Sequence, residues 1–213
     1  MTYKVNFARR PSGDEFNRST LGSQWQWVRE APSDWSLSAN PGSLTITPKT
    51  GDLTTTTNTA QNVLLQPALN DWTQTTKLTF SERPNTATQQ GGIIAYQDDD
   101  NYLKFGLEAT SATNIQFNTT LEDNLNGVQV TQTLNTLNAN SILPANNTIW
   151  LRMTKSGPYY STFYSVDGVT WAPVWTTGAT LKNSKVGLFA FNRAGTTADL
   201  RVAFDYFHVS ERP

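Results

Sequence analysis

The chain has no cysteine among its 213 residues. Disulfides, thiolate nucleophiles and cysteine-ligated metals are therefore excluded. Charge is scarce as well. Charged residues make up 15% and the formal net charge is −1, so nothing points to nucleic acid or an anionic membrane as partner. No apolar run reaches the length of a membrane span. The opening MTYKVNFARR lacks the apolar core of a signal peptide, so any export signal would lie outside this sequence. Histidine occurs once, at position 208. No Ser-His-Asp or three-His arrangement can be built around it, and His208 is read as structural. Helical periodicity is missing throughout.

What fills the chain instead is Thr, Asn, Gln and Ser between short β-forming runs. Residues 3–8, 25–30, 43–47, 62–65, 72–80, 89–97, 102–108, 114–119, 127–133, 148–155, 159–166, 169–175, 185–192 and 199–209 read as strands. Gly, Pro, Asn and Asp punctuate them, as in Pro41-Gly42, Gly157-Pro158 and Asp167-Gly168. Many short strands at regular spacing argue for an all-β sandwich or barrel, and a two-sheet antiparallel sandwich is the expectation. No linker divides the chain, so one domain over residues 1–213 is expected.

Two hairpins can be placed in register. In FYSVDGVTW, a two-residue Asp167-Gly168 turn would set Val166 opposite Val169 and Tyr164 opposite Trp171. In QQGGIIAYQDDDNYLKFGLE, a turn over Asp98 to Asn101 pairs Gln97 with Tyr102. Ile94 and Tyr96 then share the core face with Leu103, Phe105 and Leu107. Gln89, Gln97, Tyr102, Lys104 and Glu108 share the opposite face, either an ordinary wet face or a binding surface.

A neutral surface of amides, hydroxyls and aromatics suits a neutral polar ligand, and sugars fit. The polar face above, with Tyr102 and Lys104 central and exposed, is one candidate site. Arg29 and Glu30 are candidates near a strand end, although on a strand they point to opposite faces. Trp171 at its hairpin tip is the candidate stacking platform among seven tryptophans. Asp14 and Asp205 lie near opposite ends of the chain. If the terminal strands pair, these carboxylates approach each other and a structural calcium ion (Ca2+) becomes an expectation. Asp98-Asp99-Asp100-Asn101 reads as a polar turn, lacking the Gly and Glu of a calcium-binding loop. A glycosidase needs paired carboxylates, and Glu82, Glu108 and Glu122 stand isolated in sequence.

Four strings, FNRSTLGSQWQWVREAPSDWSLSANPGSLTI, QQGGIIAYQDDDNYLKF, FYSVDGVTW and VGLFAFN…AFDYFHVS, occur in this order over almost the whole chain. Together they resemble the concanavalin A-like C-terminal domain of family-43 glycoside hydrolases, the β-xylosidases and α-arabinofuranosidases, which is related to xylan-binding carbohydrate-binding modules. The resemblance implies a jelly-roll sandwich, a non-catalytic module recognising xylan or arabinoxylan, and a covalently linked catalytic domain in the parent. It also implies a secreted bacterial protein. Two alternatives stay open: a small sandwich glycosidase or lyase with its own activity, and a purely structural domain without a ligand.

Overall fold

A computed structural model describes residues 13–125, 128–193 and 200–211. In chain order its strands are β1 (Gln26–Val28), β2 (Trp35–Ser36), β3 (Leu44–Ile46), β4 (Leu53–Thr54), β5 (Thr57–Asn58), β6 (Val63–Pro67), β7 (Trp72–Phe80) and β8 (Gln89–Asp98). They continue as β9 (Asn101–Ser111), β10 (Asn114–Leu125), β11 (Val128–Asn138), β12 (Thr148–Ser156), β13 (Tyr159–Ser165), β14 (Ala172–Gly178), β15 (Lys185–Asn192) and β16 (Val202–Glu211). The one helical turn among the described residues is Pro32–Asp34.

Two seven-stranded antiparallel sheets face each other. The first has the order β1-β6-β15-β8-β9-β10-β11, the second β14-β13-β12-β7-β16-β3-β2. Strand β7 shows why they stack. Its sequence WTQTTKLTF alternates buried and half-exposed residues from end to end, so Trp72, Gln74, Thr76, Leu78 and Phe80 face inward. Opposite them the first sheet supplies Ile93, Ala95, Leu103, Phe105, Leu107 and Phe117. The expected sandwich is therefore the observed one. The expected strand over 3–8 lies outside the described residues.

Near the start of the described residues, Asp14 pairs with Phe207 of β16. Asp14 and Phe207 exchange both backbone hydrogen bonds at 2.8 Å. Phe16 and Trp25 close over this junction, with ring centroids 6.0 Å apart and Trp25 edge-on to Phe207 at 5.3 Å.

Both expected hairpin registers need correction. In β8–β9 the pairs are Tyr96↔Tyr102, Ile94↔Lys104 and Gln90↔Glu108, with Asp98 opposite Asn101. The turn is thus only Asp99-Asp100. It is held by the Asp98 carboxylate, which accepts from Asp100 N at 3.0 Å and Asn101 Nδ2 at 2.7 Å. Gln97 becomes the extra residue of a bulge, and one extra residue flips every side chain beyond it. Ile94 and Tyr96 consequently leave the space between the sheets and join Tyr102 and Lys104 on the outer face, where both stay buried.

The Asp167-Gly168 connection is wider than a two-residue turn. Tyr164 pairs with Ala172, not with Trp171. Side chains take the donors that a strand ladder would have used. Ser165 Oγ accepts from Gly168 N at 2.9 Å, and Asp167 Oδ1 accepts from Val169 N at 2.8 Å and Thr170 N at 2.7 Å. These bonds from Thr170, Val169 and the Ser165 hydroxyl hold the Asp167 carboxyl down to about 2, below its ordinary 3.8. A depressed carboxylate contributes order that is full above the ordinary value and lost as pH falls through the folded value. An NMR titration should place the Asp167 midpoint near 2, with the Val169 and Thr170 amides moving in the same window. A midpoint near 3.8 would show that the loop is not held this way.

Candidate functional site

The outer face of the first sheet is not open along its whole length. The β4–β5 hairpin lies across it. Leu53 is fully buried there and packs in a second apolar cluster with Val63, Leu65, Ile94, Tyr96, Tyr102, Phe189 and Phe191. The Tyr102 hydroxyl faces the Leu53 carbonyl and lies 3.0 Å from Glu122 Oε2. Burial first, and then the Glu122 carboxylate, push the Tyr102 phenol well above its ordinary range. Thr131 Oγ1 also donates to Glu122 Oε2 at 2.8 Å.

Beside the hairpin the face opens into a cleft of about 240 Å³, reaching from Asp52 and Arg193 across Lys104 and Glu108 to Asn118 and Thr133. Its floor is charged and largely buried. Lys104 is only 6% exposed, and its ammonium donates to Gln90 Oε1 at 2.9 Å. The same ammonium lies 3.7 Å from Asp52 Oδ1 and 4.8 Å above the Phe191 ring. Burial pulls the Lys104 pKa below the ordinary lysine value, and the Asp52 and Glu108 carboxylates oppose that shift. Asp52 Oδ1 also accepts from Leu53 N at 2.9 Å, and Arg193 Nε stands 3.8 Å from Asp52 Oδ2. On the far side Asn118 donates to Glu108, and Thr120 Oγ1 donates to Asn118 Oδ1 at 2.8 Å.

Of the residues expected at a site, Tyr102, Lys104 and Glu108 do share one face. Their exposure requires correction: Tyr102 is 0% and Lys104 6% exposed, because the hairpin and the phenylalanines of β15 cover them. Gln89 points elsewhere, its Oε1 accepting from Asn85 N at 2.9 Å and Thr86 N at 3.1 Å. Its neighbour Gln90 takes the place in the cleft. Gln97, at the bulge, accepts from Lys182 N at 2.7 Å.

Arg29 and Glu30 stand outside the cleft. Arg29 is a clamp with a left-handed backbone, φ 51°. Its guanidinium grips Asp99 at both carboxylate oxygens, at 2.6 and 2.9 Å, and its Nε donates to Ala60 O at 2.7 Å. Glu30 accepts from Trp35 Nε1 at 3.2 Å. Trp171 sits on the outer face of the second sheet, with the Arg152 guanidinium 3.7 Å from its ring centroid.

Asp14 and Asp205 are each held by protein donors. Asp14 Oδ2 accepts from Trp25 Nε1 at 2.8 Å, and Asp14 Oδ1 from Phe16 N at 2.9 Å. Asp205 receives the Lys77 ammonium and accepts from Ser43 Oγ at 3.4 Å. Among the described residues no group of three or more His, Asp or Glu side chains is placed to hold a metal. His208 is an exposed partner of Glu15 and stacks on Tyr206 at 4.3 Å.

The cleft residues not foreseen are Asp52, Gln90, Asn118, Thr120, Thr131, Thr133 and Arg193. Gln90 was within reach of period-two alternation with the bulge placed correctly. Asp52 and Arg193 carry no local signal.

With this geometry in view, the chain belongs to the β-xylosidase C-terminal concanavalin A-like domain family, whose model matches residues 13–210. The family suggested by the four sequence strings is the one found. The chain is 33% identical over 96 residues to a non-reducing end α-L-arabinofuranosidase, BoGH43B, from Bacteroides ovatus, covering 44% of this chain and 17% of that protein. Its structure is similar to that of the GH43 protein BlXynB from Bacillus licheniformis, with TM-score 0.77 and 24% identity over 100% of this chain and 40% of the other. A xylan β-1,4-xylosidase from Bacillus halodurans superposes with TM-score 0.75 at 18% identity, covering 99% and 41%. The chain thus spans only about two fifths of those enzymes or less. The same fold fills 98% of a functionally unknown protein from Saccharomyces cerevisiae, at TM-score 0.67 and 20% identity.

Proposed function

We propose that this domain is the saccharide-binding, non-catalytic part of a family-43 xylan- or arabinan-degrading enzyme, and that it holds xylan-type chains in the cleft beside the β4–β5 hairpin. The observation that carries the reading is the cleft's charged floor. A lysine and an aspartate, both more than nine-tenths buried, are fixed beneath a space lined by amides and hydroxyls. Neutral sugars are recognised by such sets, in which charged groups make the stronger hydrogen bonds and arrive already oriented. Glu108, Asn118 and Arg193 supply acceptor, amide and donor at the rim. The local carboxylates are engaged by fixed neighbours: Glu122 by Tyr102 and Thr131, Glu108 by Asn118. That supports binding over hydrolysis. In this reading the linked catalytic domain supplies the chemistry, and the protein works outside the cell where its polymer is.

The test is calorimetry and affinity-gel retention on xylan and arabinoxylan. Glu108→Gln should weaken binding on the order of tenfold, as expected for one hydrogen bond to a charged group, with an unchanged melting temperature. If Trp171→Ala abolishes binding and Glu108→Gln does not, the site lies on the other sheet. A chain that no polysaccharide retains would be a purely structural domain.

A further inference from the structure

We infer that the cleft accepts a terminal glycosyl unit, at a chain end or as a one-residue branch, and rejects the internal stretch of a chain. This rests on the proposed saccharide binding, and its ground is the way the cleft is walled. Along the strand direction the hairpin closes it. Thr55 N donates to Thr131 Oγ1 at 2.9 Å and the two hydroxyls meet at 2.7 Å, so the hairpin is tied across to β11. Across the strands the β15 side is closed too. Gly51 N donates to Asn192 O at 3.2 Å and Asn192 N to Lys49 O at 3.0 Å, which fastens the segment leading into Asp52 against the end of β15. Arg193 stands over that corner, 3.8 Å from Asp52.

A polymer that passes through a site needs two open ends. This cleft has a blind corner, and its 240 Å³ lies below the roughly 300–1,000 Å³ of a drug-sized pocket, so it suits one or two pentose units. The corner's chemistry agrees. A terminal unit carries a free hydroxyl where an internal unit carries a glycosidic oxygen. Arg193 offers a donor and Asp52 an acceptor at the corner, and a site built to bond a hydroxyl discriminates strongly against the ligand lacking it.

Calorimetric titration with xylobiose through xylohexaose, and with an arabinose-branched xylo-oligosaccharide, tests this. The expected result is a Kd per molecule that stops improving after about two units, the size the cleft admits. Binding of branched but not linear ligands would place the terminal unit on the branch. Affinity that climbs with every unit up to xylohexaose would overturn the inference while leaving saccharide binding intact. No binding to any of them would remove both. Arg193→Ala provides a second measurement, since its side chain is 66% exposed and the fold should be kept. The affinity loss, on the order of tenfold, should be equal for short and long ligands, because only the end unit reaches Arg193. A loss that fades with ligand length would also overturn it.

Discussion

Lys104→Ala should destabilise the fold by about 3 kcal/mol at neutral pH, in the range for removing one partner of a buried charge pair. As an exposed face residue, Lys104 would have been nearly free to change, and exposed substitutions cost about 0.5 kcal/mol or less. The structure reverses that expectation. Asp52 is 4% exposed, and Lys104 is the buried cation 3.7 Å from its carboxylate. Removing it leaves the largely buried Asp52 carboxylate with only the Leu53 amide and the more distant Arg193 beside it, and empties the space its methylenes fill beside Phe189 and Phe191. Lys104→Met separates the two costs, because it keeps most of the volume and loses the charge. Its deficit should be about 2 kcal/mol. Adding Asp52→Leu should restore part of the loss, since replacing a whole buried pair by apolar groups is often neutral. Urea unfolding at neutral pH measures all three variants. A Lys104→Met protein as stable as the parent at neutral pH would show that the buried Asp52 carboxylate does not need the cation.

The same residue shows where sequence reasoning carries and where it stops. Strands β7 and β15 were legible to the residue, because unbroken alternation or a continuous apolar run leaves one reading. That Tyr102, Lys104 and Glu108 share a face was legible from period two alone. Which side chains join them across the hairpin was not. It turned on the single bulge at Gln97, whose cause is the Asp98 carboxylate bonding to Asp100 and Asn101. Their burial was further out of reach. It depends on β4 and β5, two residues each, whose TTTTN setting offers one apolar residue, Leu53, and no alternation to read. The Arg29–Asp99 clamp joins positions seventy apart, and only the folded register places them together.

Gly187→Ala should be the most damaging glycine-to-alanine change among the described residues. Gly187 lies in the middle of β15, opposite Leu65 of β6 on one side and Ile94 of β8 on the other. A Cβ built there would stand 1.8 Å from the Leu64 carbonyl oxygen and 2.8 Å from its carbon. Those are backbone atoms of a paired strand, so no rotamer change relieves the contact. Either the β6–β15 ladder opens or β6 shifts outward, carrying Val63 and Leu65 away from the Phe189–Phe191 cluster. Overpacking in a core costs about 1–3 kcal/mol when side chains can adjust, and here none can, so a loss of about 3 kcal/mol or more is expected. That is a large fraction of the roughly 5–15 kcal/mol by which a domain is stable. Gly178→Ala is the matched control. Its added Cβ would meet nothing nearer than the Pro158 carbonyl at 3.9 Å, an ordinary contact on an edge strand, so it should stay within about 0.5 kcal/mol of the parent. Denaturant midpoints of the two variants, taken side by side, test the packing of the first sheet directly. Equal midpoints would mean that β6 and β15 do not approach as closely as the structure places them.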